Sequence, residues 1–265
     1  MSKTLKIAID AGHGPQTPGK RCPDDSMREF HFNSVVARYV RDGLAQYEGV
    51  QTMFTHADDG SRDVPLQERT DRANVWGADV FVSIHANASG NGWSDARGIE
   101  TYVYTTRPAQ AVKLAEAVQR NLIKETGLKN RGVKAENLHV LRETKMTAIL
   151  CECGFMTNRE EAELLKSDAY RHKCAKAIVA GIAEVYDLTL KQQAHASEPT
   201  YSGKFKDVPD GHYAKGATER LAEKGIMNGI GDSLFGFGKP ITREQAAVIV
   251  DRAISYLEQK IAQQK

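Results

Sequence analysis

An α/β fold is predicted by three features of this 265-residue sequence. Short runs rich in branched apolar residues, such as Leu5-Lys-Ile-Ala-Ile9, suit buried strands. Between such runs lie stretches of helical periodicity, for instance Ala109 to Thr126 with Leu114, Ala115, Val118 and Leu122 on one face. Two of the apolar runs end in a histidine among small residues, and the carboxyl ends of strands are where α/β sheets keep their sites.

The first strand, Leu5 to Ile9, stops at Asp10-Ala-Gly-His-Gly14, which sets His13 between two glycines that let the backbone turn sharply. A loop from Pro15 to Ser26 follows. Met27 opens an amphipathic run in which Phe30, Val36, Ala37, Val40 and Leu44 recur at helical spacing, with Gly43 and Gly49 closing it. Val50 to Thr55 reads as a strand, Leu66 to Trp76 as a helix, and Asp79 to Asn87 as a second buried strand delivering His85 at its end. Gly98 to Tyr104 is a further strand, and the helix from Ala109 stops at Gly127. Leu138 to Leu141 and Ala148 to Cys153 read as two more strands. Asn158, with Glu161 three residues on, starts a charged helix in capping-box fashion, and Tyr170 to Tyr186 forms the last helix of the domain. From Thr189 to Gly203 periodicity is lost and the chain reads as a linker. Beyond it, Ala214 to Lys224 and Thr242 to Leu257 are amphipathic helices joined by a Gly-rich stretch. The division expected is therefore 1–188, a linker over 189–203, and a small unit over 204–258. A unit of ~55 residues is marginal alone and is expected to pack on a copy of itself or on the first domain.

Composition narrows the function. A formal net charge of +2 gives no basic stripe for a nucleic-acid partner, and 41% apolar residues is adequate for a core. No apolar run approaches the ~20 residues of a membrane span, and Met1 to Lys6 leads straight into the first strand without a secretory apolar region. The expectation is synthesis in the cytoplasm, with release by something else if the protein acts outside the membrane. Cys22, Cys151, Cys153 and Cys174 are too few and too unevenly spaced for a disulfide framework, and a Cys-x-Cys pair lacks the usual zinc spacing.

Four side chains carry candidate chemistry. His13 and His85, each at a strand end, and Glu29, in the first turn of a helix, make the two-nitrogen, one-carboxylate set of a catalytic zinc site with a fourth position open to water. Glu29 could instead favour the helix dipole, and His85 could merely cap its strand. His31 lies about 200° around the helix from Glu29, so the two cannot serve one point, and Glu29 is the choice. Glu152 stands in the otherwise apolar Ala148-Ile-Leu-Cys-Glu-Cys-Gly-Phe155 and asks for a partner. It is the carboxylate available as a base, and on a regular pleat Cys151 and Cys153 point away from it.

The motifs Asp-Ala-Gly-His-Gly14, Glu29 with Asn33, Leu66-x-x-Arg69 with Ala73-Asn74, Ser83-Ile-His-Ala-Asn87, Val140-Leu-Arg and Cys-Glu-Cys-Gly-Phe-Met-Thr-Asn158 resemble the zinc-dependent N-acetylmuramoyl-L-alanine amidases of the Amidase_3 type. They run in that family's order from about residue 4 to 188. The resemblance implies a mixed, mostly parallel sheet flanked by helices, Zn²⁺ held by His13, Glu29 and His85, and Glu152 as the catalytic glutamate. It also implies cleavage of the amide between the lactyl group of N-acetylmuramic acid and L-alanine in peptidoglycan. Thr147 departs from the family, whose members often have proline before the last strand.

Phe205-Lys-Asp-Val-Pro-Asp-Gly-His-Tyr213, Gly225-Ile-Met-Asn-Gly229 and Ile241-Thr-Arg-Glu-Gln245 resemble a single S-layer homology motif. That resemblance implies binding of an anionic secondary cell-wall polymer, with Asp207 and Arg243 at characteristic positions. Arg243 could equally pair with Glu244 or Asp251 on the surface. The motif usually occurs in three copies, and Gln245 stands where many members have glutamate, so avidity would require oligomerisation through this unit. The whole reads as a wall-lytic amidase of the phage endolysin kind. A bacterial autolysin or mother-cell amidase, and a catalytically silent wall-binding protein, are the alternatives.

Overall fold

The computed structural model describes residues 4–191, 201–210 and 214–263, in two compact units, Met1–Lys191 and Gln192–Lys265. The first unit alternates strands and helices: β1 (Leu5–Ala11), α1 (Glu29–Leu44), β2 (Val50–Phe54), α2 (Leu66–Trp76), β3 (Val80–Asn87), β4 (Ile99–Val103), α3 (Ala109–Thr126), β5 (Asn130–Ala135), α4 (His139–Arg142), β6 (Thr147–Phe155), α5 (Arg159–Lys166) and α6 (Asp168–Val185). The strands form one six-stranded sheet in the order β2-β1-β3-β6-β4-β5. All neighbours are parallel except β4 and β6, so the sheet is mixed and mostly parallel.

Strand alternation sorts the side chains into two layers. Ile7, Ile9, Ala11, Val82, Ile84, Ile149, Cys151 and Cys153 face a core shared with α1, α3 and α6. Ala8, Phe81, Ala148 and Leu150 face the other way, toward Ala73 of α2 and Val140 and Leu141 of α4. Asp10, Ser83, His85 and Glu152 belong by parity to this second, thinner face. All four cysteines are buried free thiols, and Cys151 and Cys153 lie in the packed layer, on the opposite face of the strand from Glu152.

Two elements differ from the sequence reading. Residues 138–141 are not a strand: His139–Arg142 is the short helix α4, in which the consecutive residues Val140 and Leu141 both bury against the sheet. A four-residue apolar run carries no period to tell strand from helix. The strand that does lie there, β5, spells Asn-Arg-Gly-Val-Lys-Ala on the sheet edge and is mostly half-buried, so it has no hydrophobic signature. Gly43 likewise does not end α1, which continues to Leu44. A Cβ there would sit 2.9 Å from Val179 Cγ2, so its bare α-carbon serves the close approach of α6.

Asn158 caps α5 by accepting from the Glu161 amide at 3.1 Å. The Glu161 carboxylate, however, accepts from the amides of Gly98 and Phe155, each at 2.7 Å, and so ties the end of β6 to the approach to β4. The first residues read as linker, 189–191, run beside Gln46–Glu48, with Glu48 N donating to Thr189 O at 2.9 Å and Lys191 N to Gln46 O at 2.8 Å. Residues 192–200 of that stretch lie outside the described residues.

In the second unit, Phe205, Val208, Ala222 and Phe235 form a small core beside α7 (Lys215–Glu223), and α8 (Arg243–Ala262) follows. Thr242 and Gln245 form a complete capping box at the start of α8, so glutamine does at that position what glutamate would.

Gly181 of α6 gives a stability test. An exposed helical Gly→Ala change gains about 1 kcal/mol, but a Cβ at 181 would lie 2.7 Å from Val118 Cα and 2.8 Å from Val118 N. Overlap with backbone outweighs propensity, and Gly181→Ala should lose about 1–3 kcal/mol in urea unfolding. An increase in stability would refute the tight α3–α6 contact.

Candidate metal centre and active site

The carboxyl edge of the sheet brings together residues far apart in sequence. His13 follows β1, His85 sits near the end of β3, and Glu152 lies in β6 directly opposite His85 in the parallel register. Glu29 opens α1 from the opposite layer and reaches over the edge. Glu29 Oε1 lies 2.9 Å from His85 Nδ1 and Oε2 lies 3.3 Å from His13 Nε2. The two imidazoles meet edge to face, with ring centroids 5.1 Å apart at 89°. Among the described residues, one ligand atom from each of His13, Glu29 and His85 lies within 4.8 Å of the others, the spacing of a metal-binding triad. His31 is exposed on α1, away from the set.

Local backbone explains why these residues can converge. His13 itself occupies the left-handed region, at φ 62°, a strained conformation for a side chain of this kind. The glycines beside it serve less to turn the chain than to admit neighbours. A Cβ on Gly12 would fall 2.1 Å from His85 Cε1, and one on Gly14 would fall 2.6 Å from Asp63 Cα. The His85 ring thus lies flat against Gly12, and any larger residue would displace it.

A buried network holds the strained turn. Arg69, 1% exposed, donates from Nη2 to His13 O at 2.6 Å, from Nη1 to Asp10 Oδ1 at 2.8 Å and from Nε to Val64 O at 2.7 Å. Asp10 also accepts from Thr55 Oγ1 at 2.6 Å and Ser83 Oγ at 2.7 Å. Burial works against the Asp10 charge, but Arg69 and the two hydroxyls more than offset it and bring the pKa down to about 2. Asn33, one turn after Glu29, donates to Glu29 Oε1 at 3.2 Å and to Gly12 O at 3.0 Å, joining the helix to the loop. The Ala86 amide donates to the same Glu29 oxygen at 3.2 Å. The first-turn glutamate is therefore spent on the two histidines and their support, beyond any helix-dipole role.

The electrostatics of the set follow from burial and contact. Burial pushes His13 down to about 4, keeping its imidazole neutral at pH 7 and free to act as a ligand. Burial opposes charge on His85 as well, yet its bond to Glu29 and that carboxylate's charge leave its pKa raised. Glu152 behaves differently. Its Oε2 is buried without a hydrogen-bond partner, and burial raises its pKa to about 8 despite the pull of His85.

These groups line a cleft of about 610 Å³ together with Lys20, Leu66, Leu138, His139 and Val140. Lys20 and His139 were not singled out from the sequence. His139 was hidden in the misread strand, and a lone lysine in a loop carries no signal.

A family model described as N-acetylmuramoyl-L-alanine amidase, Amidase_3, matches residues 7–184. The chain belongs to the Amidase_3 family of N-acetylmuramoyl-L-alanine amidases. Residues 204–247 match the S-layer homology domain. The amidase is 35% identical over 191 residues to N-acetylmuramoyl-L-alanine amidase CwlM of Bacillus licheniformis, covering 72% of each chain. It is also 35% identical over 227 residues to the endolysin of Bacillus phage SPP1, covering 80% of this chain and 79% of that one. Among solved structures, an N-acetylmuramoyl-L-alanine amidase from Clostridium difficile 630 superposes with a TM-score of 0.66 at 33% identity, over 70% of this chain and 98% of that one.

In the second unit, Asp207 turns inward. Its carboxylate accepts from the amides of Phe235 at 2.7 Å and of Gly236 and Phe237 at 2.8 Å each, holding the loop before α8. Arg243, the first residue of α8, is exposed.

The Asp10 network predicts an acid limb of stability. A carboxyl held at about 2 against an ordinary 3.8 contributes fully above pH 4 and loses that contribution as pH falls toward 2, about 2 kcal/mol in all. In Asp10→Asn, urea unfolding followed from about pH 5 to about pH 2 should show a fall smaller than that of the parent by this amount. The variant should also be weaker at neutral pH by about 3 kcal/mol, since the buried Arg69 loses its closest carboxylate and keeps only the half-exposed Asp63 at 3.3 Å. An unchanged acid limb would remove Asp10 as its source.

Proposed function

We propose that the metal of this amidase is zinc, held by His13, Glu29 and His85, and that Glu152 is its catalytic acid–base. The bond cut is the amide between the lactyl carboxyl of N-acetylmuramic acid and L-alanine. The donor set supports zinc: two imidazole nitrogens and one carboxylate oxygen, with room in the cleft for water and substrate, fit a four-coordinate catalytic site. When bound, zinc supplies a water acidic near pH 7 and polarises the substrate carbonyl.

The observation that carries the reading is Glu152. Its buried Oε2 has no hydrogen-bond partner and lies on the strand position beside His85, where an open carboxylate can take a proton and give it up. In hydrolysis it would take the proton of the attacking water and pass it to the departing nitrogen of L-alanine, which leaves as a neutral amine. Asn33 and Arg69 take no part in bond cleavage; they keep Glu29 and the His13 turn in place. Leu66, Leu138 and Val140 give the cleft an apolar wall against which a peptide stem can lie.

The biological setting is read as lysis of the wall in the manner of a phage endolysin. Support comes from the SPP1 endolysin alignment, whose 227 residues span 80% of this chain, more than the catalytic domain alone. The bacterial CwlM relative favours an autolysin as the second reading. The S-layer homology unit is proposed to hold an anionic wall polymer through Arg243, with Asp207 shaping the loop beside it. The working division is a catalytic domain over 1–188 and a wall-binding unit over 204–258.

Three outcomes follow. Glu152→Gln should bind one zinc per chain yet release L-alanine-terminated peptides from purified peptidoglycan about 10²–10⁴-fold more slowly; mass spectrometry of the fragments reads both the rate and the bond. Retention of full activity would remove Glu152 as the base. Dialysis against a chelator should abolish the activity, with zinc restoring it, whereas a protein that is active without metal would contradict the triad. Arg243→Ala should weaken sedimentation with intact walls while leaving cleavage of soluble muropeptides unchanged, and unaltered sedimentation would dismiss that contact.

A further inference from the structure

His85 has two ring nitrogens, and the structure gives each a different neighbour. Nδ1 faces Glu29 Oε1 at 2.9 Å, and the other oxygen of that carboxylate lies 3.3 Å from His13 Nε2. Nε2 lies 3.1 Å from Ser83 Oγ. Ser83 is wholly buried and its hydroxyl also lies 2.7 Å from Asp10 Oδ2. A carboxylate paired with a guanidinium only accepts, and the other oxygen of Asp10 is already taken by Arg69 and Thr55. The single hydroxyl proton of Ser83 must therefore go to Asp10. The serine oxygen is left as an acceptor, and the contact with His85 is a hydrogen bond only if Nε2 carries a proton.

We infer that Ser83, fixed by Asp10, is a positioning residue of the metal centre: it takes the Nε2 proton of His85 and so leaves Nδ1 as the nitrogen that faces Glu29 and the metal. Histidine ligands are oriented by what their second nitrogen donates to, and loss of such a partner typically costs 10–100-fold in metal affinity. The same ion pair acts on both imidazoles. Asp10 orients the His85 ring through Ser83, and Arg69 holds the His13 carbonyl at 2.6 Å and so steadies the left-handed turn. With alanine at 83, the His85 ring would keep its place against Gly12 but lose the bond that selects its tautomer.

This inference rests on the metal reading above, and the test separates the two. In ¹⁵N-histidine NMR of the zinc-loaded, unsubstituted protein, the protonated nitrogen of His85 should be Nε2, coupling to both ring carbon-bound protons, with a slowly exchanging N–H. Protonation at Nδ1 would overturn the relay outright, with no variant needed. Competition with a zinc chelator should then show Ser83→Ala binding zinc about 10–100-fold more weakly than the parent. Ser83→Thr, which keeps the hydroxyl, should recover most of that loss, which a purely steric effect of the position would not. Equal zinc affinity in Ser83→Ala and parent would refute the relay while leaving the metal reading intact. A parent protein that takes up no zinc would defeat both.

Discussion

The parallel register of β1, β3 and β6 is the constraint on which the rest of the site depends. Asp10 stands opposite Ser83 across β1 and β3, and two residues on His85 stands opposite Glu152 across β3 and β6. Because side chains alternate with a period of two, these pairs share one face, in successive rows. A slip of a single residue in either pairing would turn His85 or Glu152 into the packed layer under α1, α3 and α6. That layer resists a slip. It holds Val82, Ile84, Ile149, Cys151 and Cys153, all fully buried, and none of them could be exchanged for a charged neighbour without leaving it unsolvated. The hydrophobic core thus sets the geometry of the candidate site through strand pairing rather than by touching it.

Buried charge at this edge is handled in two opposite ways. Around Arg69 every cost is compensated: the guanidinium donates to Asp10 and to the carbonyls of Val64, Ala11 and His13, and Asp10 in turn accepts from two hydroxyls. That closed network can carry the strain of a left-handed His13. Glu152 is left open instead. Its neighbour on the other side, Glu100, is satisfied by Arg131, Lys134, Tyr102 and Asn87, so none of those donors is turned to Glu152. A carboxylate kept without a partner beside a well-partnered one is stability given up for proton affinity.

In the S-layer homology unit Asp207 has a structural task. Asp207 lies where the motif places it, but its carboxylate closes a loop by taking three backbone amides. Gln245, read from sequence as a departure, satisfies the same two capping bonds that a glutamate would.

Much of the fold and of the candidate site was legible in the sequence because its signals are local. Leu5 to Ile9 and Asp79 to Asn87 declare buried strands by composition, Ala109 to Thr126 declares a helix by period, and the residues that converge at the edge sit inside short motifs at strand and helix ends. The strand β5 was not legible, since an edge strand that is only half-buried needs no apolar pattern, and α4 was misread because four residues hold no period. What only the tertiary structure decided is which atoms meet. Gly12 is glycine because the His85 ring, 73 positions further on, lies against it; Arg69 matters because it reaches the His13 carbonyl; and Ser83 matters because Asp10 claims its proton. Each of these depends on contacts closed by the packing of distant segments, and no stretch of chain carries that information by itself.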